Sequence, residues 1–195
     1  MTMLFDYTFG FIVLISCAFA ALGMIFNIKF RFTALGAGAL LGLLILTEPT
    51  GVIPVLKASS KDWHPDTFWY EPWGASVVHR GIDIFADEGQ PVIAPVGCMV
   101  LIAREIRVGG NVVLCIDRAL RLHYFAHLKT FNTATGKWLS EGERFASVGR
   151  TGNAFNKPPH LHYGVMSVIP RPWNITNQTL GWMRMFYLDP TVIWN

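Results

Sequence analysis

Apolar residues are distributed unevenly along the chain, and the N-terminal part is the most hydrophobic. One uncharged apolar run covers residues 9–26, and a second covers residues 32–46. A helix of about 20 apolar residues spans a bilayer, and a somewhat shorter run can do so when a flanking arginine snorkels to the surface. The pattern therefore predicts a membrane region over residues 1–47 with two transmembrane helices, at about 9–26 and 32–46.

The charges between the two apolar runs predict the orientation of this region. Lys29 and Arg31 lie in the short connecting loop, and positive loops favour the cytoplasmic side. Both ends of the helical pair, and the domain that follows, are then expected on the outer side of the membrane. A cleaved signal peptide is the alternative, but the first run lacks a basic leading region and instead has Asp6. A retained helical pair is the favoured interpretation.

A more polar stretch follows the second apolar run. Pro49, Gly51, Pro54 and the segment 57–61 are typical of a linker, which we place at residues 48–65. It is short, so it predicts a domain close to the membrane surface.

From residue 66 to residue 195 the pattern changes to short β-type runs. Apolar and β-branched stretches at 91–94, 98–103 and 111–116 are bounded by glycines, and few stretches have helical periodicity. Further runs of this kind cover residues 120–128, 144–148 and 160–168. The sequence therefore predicts a mainly β domain, a compact antiparallel β-sheet with an open groove.

Candidate chemistry lies at two of these strands. On a strand, alternate residues share a face, so His79, Gly81 and Asp83 would lie on one side. His160 and His162 would also share a side, with Leu161 turned to the core. Two histidines and one aspartate suit zinc and leave its fourth position open, as a catalytic site requires.

The remaining histidines have different interpretations. His127 lies in a third strand-like block and joins the candidate site. His123 lies four residues earlier and would face the same way on a regular strand. It would then line a substrate groove or, as we favour, occupy an exposed strand position without a catalytic role. His64 lies outside all three blocks and is assigned no ligand role.

At these residues the sequence resembles the lysostaphin/LytM-type zinc endopeptidases, which cleave peptide bonds of bacterial peptidoglycan. The resemblance extends from about Asp66 to Pro190. The matching blocks, in family order, are His79-Arg-Gly-Ile-Asp-Ile-Phe-Ala, Gly89-Gln-Pro-Val-Ile-Ala-Pro, Gly109-Gly-Asn-Val-Val, Tyr124-Phe-Ala-His-Leu, Val148-Gly-Arg-Thr-Gly-Asn-Ala, Pro158-Pro-His-Leu-His-Tyr-Gly and Leu188-Asp-Pro. Residues 156–159 depart from the family pattern, which changes a loop at the cleft and leaves the metal positions intact.

The resemblance implies a role for each candidate residue. His79, Asp83 and His162 correspond to the zinc ligands, so Zn2+ is the expected cofactor. His127 and His160 correspond to the two catalytic histidines that do not bind the metal, orient the water and assist proton transfer. The implied substrates are peptidoglycan stem peptides or cross-links. The location of that substrate agrees with the topology predicted from the apolar runs and the charged loop. We therefore expect the protein at the bacterial inner membrane, with the catalytic domain periplasmic or otherwise extracytoplasmic and the lipid bilayer contacted through the N-terminal helices.

The residues also limit the possible reaction mechanisms, independently of the family resemblance. A neutral histidine accepts a proton from water and a protonated one donates to an oxyanion or a leaving amine. The chain has no HExxH helix and no serine nucleophile elbow. The two non-ligand histidines are therefore the candidates for proton transfer, and the sequence does not divide the roles between them.

Two classes of function follow from this pattern. The favoured one is a zinc metalloendopeptidase. The alternative is a non-catalytic domain of the same fold that activates a cell-wall amidase or joins an envelope assembly through a protein partner. The net charge of +3 is too small to indicate nucleic-acid binding, and no nucleic-acid motif occurs.

Cysteines and C-terminal aromatic residues add two further expectations. Cys98 and Cys115 fall on neighbouring strands. A turn centred near Gly109 would place them out of register by several residues, so no disulfide is predicted. The tail is rich in aromatic rings, which either form substrate subsites or, as we favour, pack a loop against the sheet. These rings are Trp173, Trp182, Phe186, Tyr187 and Trp194.

Overall fold

The computed structural model describes residues 50–194, together with residues 33, 36, 38, 39 and 42. The predicted transmembrane helices at 9–26 and 32–46 lie, apart from those five positions, outside the described residues. Within the described part of the chain, no helix has both the length and the apolar character needed to cross a membrane. The account below concerns the compact unit that comprises residues 49–195.

The main feature of this unit is a seven-stranded sheet in which all strand pairs are antiparallel. Its strands run in the order β1-β9-β5-β4-β3-β7, and β10 pairs with β9 on the same edge as β1. Their bounds are β1 Ile82–Phe85, β3 Cys98–Ile106, β4 Gly110–Asp117, β5 Arg121–Leu128, β7 Trp138–Leu139, β9 His160–Ser167 and β10 Tyr187–Leu188. The prediction of a mainly β antiparallel domain is therefore confirmed.

A second, three-stranded sheet has the order β2-β8-β6. Its strands are β2 Pro91–Ile93, β6 Thr130–Phe131 and β8 Arg144–Ser147. Between residues 50 and 194 the helical elements are short 3₁₀ turns. They comprise Gly74–Ser76, Gly152–Ala154, Pro172–Asn174, Gly181–Met185 and Pro190–Ile193.

The core lies on one face of the main sheet. The β-branched and aromatic residues of β4, β5 and β9 alternate, so one set of side chains is buried while the other faces the opposite side. Phe125 of β5 contacts Phe145 and Tyr163 with ring centroids 5.0 and 5.1 Å apart. Leu161 is fully buried in the same cluster, as predicted. Burial of each such large side chain contributes about 1.5–3 kcal/mol, so this face fixes β9 and the residues on its other side.

Part of the predicted linker belongs to the folded unit. Within residues 48–65, the Gly51 amide donates to the Ile193 carbonyl at 2.7 Å. Val55 is buried and forms a bridge with Val92 of β2. The apolar residues at 52–56 explain this packing, because they add to the core when they lie along β2. The polar residues and prolines around this apolar segment are typical of a linker, so the sequence did not indicate that the segment is packed.

Cys98 and Cys115 form a disulfide, so the prediction of no disulfide is wrong. β3 and β4 form a hairpin whose register shifts at a bulge between Val100 and Ile102, which leaves Cys98 opposite Asp117. Cys115 is then the diagonal neighbour on the same face, and the two Cα atoms are 5.8 Å apart. That separation lies in the range that a disulfide requires. The sequence argument missed the bulge and overestimated the offset.

Candidate metal centre

Three potential metal ligands meet where β1 pairs with β9. Asp83 of β1 lies directly opposite His162 of β9, and His79 lies on the segment that leads into β1. The Asp83 Oδ1 atom lies 2.9 Å from His162 Nδ1 and 3.2 Å from His79 Nε2. The two ring nitrogens are 3.0 Å apart. The structure thus brings together the three residues that the sequence predicted as zinc ligands.

The donor set fits a zinc ion. Ligand atoms of a tetrahedral zinc site lie about 3.4 Å apart when the metal–ligand bonds are about 2.1 Å long. The three separations here are slightly shorter than that value, and each residue offers one donor atom to the group. Two nitrogens and one carboxylate oxygen leave a fourth tetrahedral position open, which is the arrangement of catalytic rather than structural zinc sites.

His79 is oriented by residues that sequence reasoning did not identify. Its Nδ1 atom lies 3.0 Å from the Thr67 carbonyl and 2.9 Å from the Thr67 hydroxyl. An Nδ1–H that donates to the carbonyl leaves the Nε2 lone pair free for a metal. Trp73 stacks on a face of the His79 ring, with ring centroids 3.9 Å apart. Neither contact has a local sequence signal, because both arise from the way the loop before β1 packs.

His127 and His160 lie beside the ligand cluster, with their ring centroids 5.0 Å apart. The Nδ1 atom of His160 lies 2.8 Å from the Pro158 carbonyl, and that of His127 lies 3.0 Å from the Thr151 carbonyl. As at His79, a backbone carbonyl therefore fixes the Nδ1–H tautomer and leaves Nε2 unprotonated. The Nε2 atom of His160 is 3.9 Å from Asp83 Oδ2.

The electrostatics of the cluster favour neutral side chains at His127 and His162 and an ionised Asp83. Burial lowers the pKa of His127 to about 4, and the neighbouring His160 and His162 contribute to the shift. Burial also lowers the pKa of His162. At Asp83 burial alone would raise the pKa, but hydrogen bonds with His162 and His79 hold the pKa well below its ordinary value. Each group is thus in the protonation state that a metal ligand or a general base needs near neutral pH.

A bulge in β5 places His127 at the cluster. The register between β4 and β5 shifts between Asn111 and Val113, so Ala126 and His127 together oppose one residue of β4. His127 has a φ of +62°, in the left-handed region, and its amide donates to the Gly109 carbonyl at 2.8 Å. Because of the bulge, the His127 side chain lies on the same face of the sheet as the candidate ligands and not on the core face.

The same bulge overturns the prediction for His123, which is neither an exposed strand residue nor part of the groove. His123 is fully buried on the core face, where its Nδ1 atom lies 2.7 Å from the Tyr163 hydroxyl. Its Nε2 atom lies 3.2 Å from Asp117 Oδ2. On a regular strand His123 and His127 would share a face, and the inserted residue separates them.

Gly81 allows β1 and β9 to approach each other at the cluster. A Cβ atom at this position would lie 2.5 Å from the Tyr163 carbonyl oxygen and 3.1 Å from His162 Cε1. The glycine therefore makes room for the β9 backbone and for a ligand ring rather than for the metal itself.

Two pockets lie close to β9. A pocket of about 490 Å³ is lined by Phe85, Pro158 and Pro159 together with residues of the segments 57–62 and 86–90, and none of the five site residues lines it. A second pocket, of about 240 Å³, extends from His162 along β9 to Tyr187. Only the smaller of these two pockets therefore includes a candidate metal ligand, His162, in its lining.

The sequence model of peptidase family M23 matches residues 77–174. The chain belongs to peptidase family M23. The matched range includes all five side chains of the candidate site, and it covers β1 to β9, the elements that position them.

Curated relatives support the same assignment for this part of the chain. The M23 domain is 37% identical over 100 residues to the L-Ala–D-Glu endopeptidase of Bacillus subtilis (strain 168), an alignment that covers 48% of this chain and 31% of that protein. It is 33% identical over 86 residues to an uncharacterized metalloprotease of Haemophilus influenzae, covering 44% of this chain and 18% of that protein. The alignments thus span less than a third of each relative.

Solved structures show the same fold. The catalytic domain of lysostaphin, the antimicrobial peptidase of Staphylococcus simulans, superposes with a TM-score of 0.54 at 22% identity and covers 71% of this chain and 98% of that domain. A structure of lysostaphin itself gives a TM-score of 0.57 at 20% identity and covers 76% of this chain and 54% of that protein. At these identities the likeness establishes the architecture of the M23 domain.

The sequence offered two interpretations of the C-terminal aromatic rings, substrate subsites or packing against the sheet, and the structure shows different positions for different rings. Trp194 packs on the core, with its ring centroid 5.7 Å from that of Tyr163, and Tyr187 lines the pocket beside His162. Trp182 is exposed. Tyr187 therefore lies beside a candidate metal ligand, and the sequence alone did not indicate which ring would do so.

Proposed function

We propose that the M23 domain is a zinc-dependent endopeptidase that hydrolyses peptide bonds in peptidoglycan cross-links or stem peptides. The observation that carries the proposal is the arrangement of His79, Asp83 and His162 with His127 and His160 beside them. Zinc held by the first three residues would supply a Lewis acid and a water of lowered pKa.

The two other histidines account for the proton transfers of peptide hydrolysis. His127 and His160 are each held by a backbone carbonyl at Nδ1, so each presents Nε2 to the site. A neutral Nε2 accepts the proton of an attacking water, and the resulting imidazolium donates it to the leaving amine. A protonated ring also stabilises the negative charge that develops on the carbonyl oxygen of the scissile bond.

The substrate class follows from the family and from the shape of the site. The Bacillus subtilis relative is named for an L-Ala–D-Glu bond, and the family resemblance implies peptidoglycan peptides in general. The smaller pocket, which begins at the candidate ligand His162, offers room for a substrate residue beside the scissile bond.

We further propose that the domain works outside the cytoplasm, attached to the bacterial inner membrane through residues 1–47. The substrate lies in that compartment, and the apolar runs with Lys29 and Arg31 between them agree with this topology. The Cys98–Cys115 disulfide also supports it, because disulfides persist in oxidising compartments such as the periplasm.

The alternative of a non-catalytic scaffold or amidase activator is less favoured. A scaffold needs neither metal ligands nor oriented general bases, and here all five side chains converge with fixed tautomers or close contacts. A binding partner within an envelope assembly remains compatible with a catalytic domain.

A combined metal and cleavage measurement on the full chain tests the proposal. We expect one zinc per chain, and release of peptides from purified cross-linked peptidoglycan that stops when a chelator is added. An Asp83→Ala variant should lose both, whereas His64→Ala, which changes a histidine outside the cluster, should keep both. A zinc-loaded wild-type chain that cleaves no cell-wall peptide would contradict the proposed activity.

A further inference from the structure

The smaller pocket of the M23 domain begins at a proposed metal ligand and follows one face of β9. His162, Gly164 and Met166 are alternate residues of β9 and form its floor. Tyr124 of β5 and Tyr187 of β10 form its walls. Among the described residues that line this pocket, the one charged side chain is that of Arg80, the residue directly after the proposed ligand His79.

The positive charge of Arg80 is not neutralised by the described part of the chain. None of the ion pairs between described residues includes Arg80. Its Nη2 atom donates to the Ser76 carbonyl at 3.5 Å, a long hydrogen bond, and its Nε atom is buried without a hydrogen-bond partner among these residues. A guanidinium has five N–H donors, so most of its capacity stays unused.

Arg80 is nevertheless held in place. Its Cζ atom lies 5.6 Å from the centre of the Tyr187 ring, within the range of a cation–π contact. Its backbone carbonyl packs against β9 at Gly164, where a Cβ atom would lie 3.0 Å from the Arg80 oxygen. β1 and β10 both pair with β9, so the guanidinium is fixed where these two strands flank the pocket.

We propose that Arg80 binds a free carboxylate on the peptide residue next to the scissile bond, and that the pocket selects substrates bearing it. A planar guanidinium matches a carboxylate in a bidentate pair, and an apolar pocket strengthens that pair by excluding water. The inference rests on the proposed function and adds a specificity determinant to it. Stem peptides supply two such groups, the α-carboxylate that a γ-linked glutamate leaves free and the C-terminal carboxylate.

Binding to the metal-free full chain tests this inference separately from catalysis. The probe is the peptide L-Ala-γ-D-Glu-L-Lys-D-Ala, with three counterparts in which the glutamate carboxylate, the C-terminal carboxylate or both are amidated. Titration calorimetry on wild type should show that one of the two single amidations raises Kd by about ten- to a hundredfold, the range of a hydrogen bond to a charged group. In Arg80→Gln the acidic and amidated peptides should bind alike, and Arg80→Lys should restore part of the preference.

A matched control uses another arginine that lies over an aromatic ring. Arg118 lies 5.3 Å from the centre of the Trp138 ring, outside the pocket, so Arg118→Gln should retain the wild-type preference. The inference is overturned if wild type binds the doubly amidated peptide as tightly as the acidic one, or binds neither at millimolar concentration. It is also overturned if Arg80→Gln weakens both peptides equally, since Arg80 would then only support packing.

Cleavage of the same peptides within a cross-linked substrate separates this inference from the proposed function. A carboxylate preference in binding, with no cleavage by the zinc-loaded chain, would support the Arg80 site and overturn the peptidase activity. Cleavage with equal kcat/KM for acidic and amidated substrates would support the activity and overturn the Arg80 site.

Discussion

At the scale of single residues, the site separates metal binding from proton transfer. His162 contacts Asp83 and His79 directly, whereas His127 contacts the cluster only through ring packing. We expect His162→Ala to lose zinc and hydrolysis together. We expect His127→Ala to retain zinc and lose about 10²–10⁴-fold in kcat, the usual contribution of a general acid or base. Metal analysis and steady-state kinetics on both variants distinguish the roles, and a fully active His127→Ala would remove that residue from the mechanism.

Gly81 offers a second test at this scale. In Gly81→Ala the added methyl group would collide with the Tyr163 carbonyl and approach the His162 ring, so β1 must move away from β9. We expect a loss of about 1–3 kcal/mol in the free energy of unfolding, typical of overpacking, and a weaker affinity for zinc.

Gly89→Ala is the matched control for Gly81→Ala. Gly89 has a φ of +96° and open space around it, so alanine there strains the backbone without touching the cluster. This variant should lose stability but bind zinc as wild type does. Equal zinc affinity in both variants would show that Gly81 does not position the ligands.

At the scale of strands, the long elements could be predicted and the irregular ones could not. The apolar runs at 98–103, 111–116, 120–128 and 160–168 correspond to β3, β4, β5 and β9, because alternation and β-branching are local properties. The bulge between Val100 and Ile102 and the bulge at His127 depend on the register of a neighbouring strand. Missing the first led to the wrong prediction for the disulfide, and missing the second led to the wrong prediction for His123.

The β3–β4 hairpin carries a prediction of its own. The disulfide closes a loop with a sequence separation of 17 residues, for which chain entropy predicts about 3 kcal/mol of stabilisation. Reduction with dithiothreitol should therefore lower the urea midpoint of wild type. A Cys98→Ser/Cys115→Ser double variant should start near the reduced value and show no response to the reductant. Identical midpoints for wild type with and without reductant would contradict the stabilising role.

At the scale of the whole molecule, a charged network lies within the core beneath the site. Asp117 accepts hydrogen bonds from the Arg121 amide at 2.8 Å and from the Arg121 Nε at 2.7 Å. His123 lies between Asp117 and the Tyr163 hydroxyl, and Tyr163 follows the ligand His162 in β9. A buried polar network of this kind is stabilising only while its members keep their protonation states.

Those protonation states make the fold sensitive to acid. Burial lowers the pKa of His123 below its ordinary value of 6.5, so below about pH 6.5 the unfolded chain binds a proton that the folded chain does not. Stability therefore falls as the pH drops through this range. At Asp117 burial opposes the shift, but hydrogen bonds with His123 and Arg121 lower the pKa below 3.8. Its contribution is present above that value and is lost at still lower pH.

A comparison of pH dependences isolates the contribution of His123. Urea unfolding of metal-free wild type at pH 7.5 and pH 5.5 should give a lower free energy of unfolding at pH 5.5. His123→Gln keeps groups that can bond to Tyr163 and Asp117 but does not titrate, so its difference between the two pH values should be smaller. The metal centre is the same in both proteins, so its contribution cancels in the comparison. An unchanged difference in His123→Gln would assign the acid sensitivity to the metal centre, and would leave the buried network a purely structural support for β9.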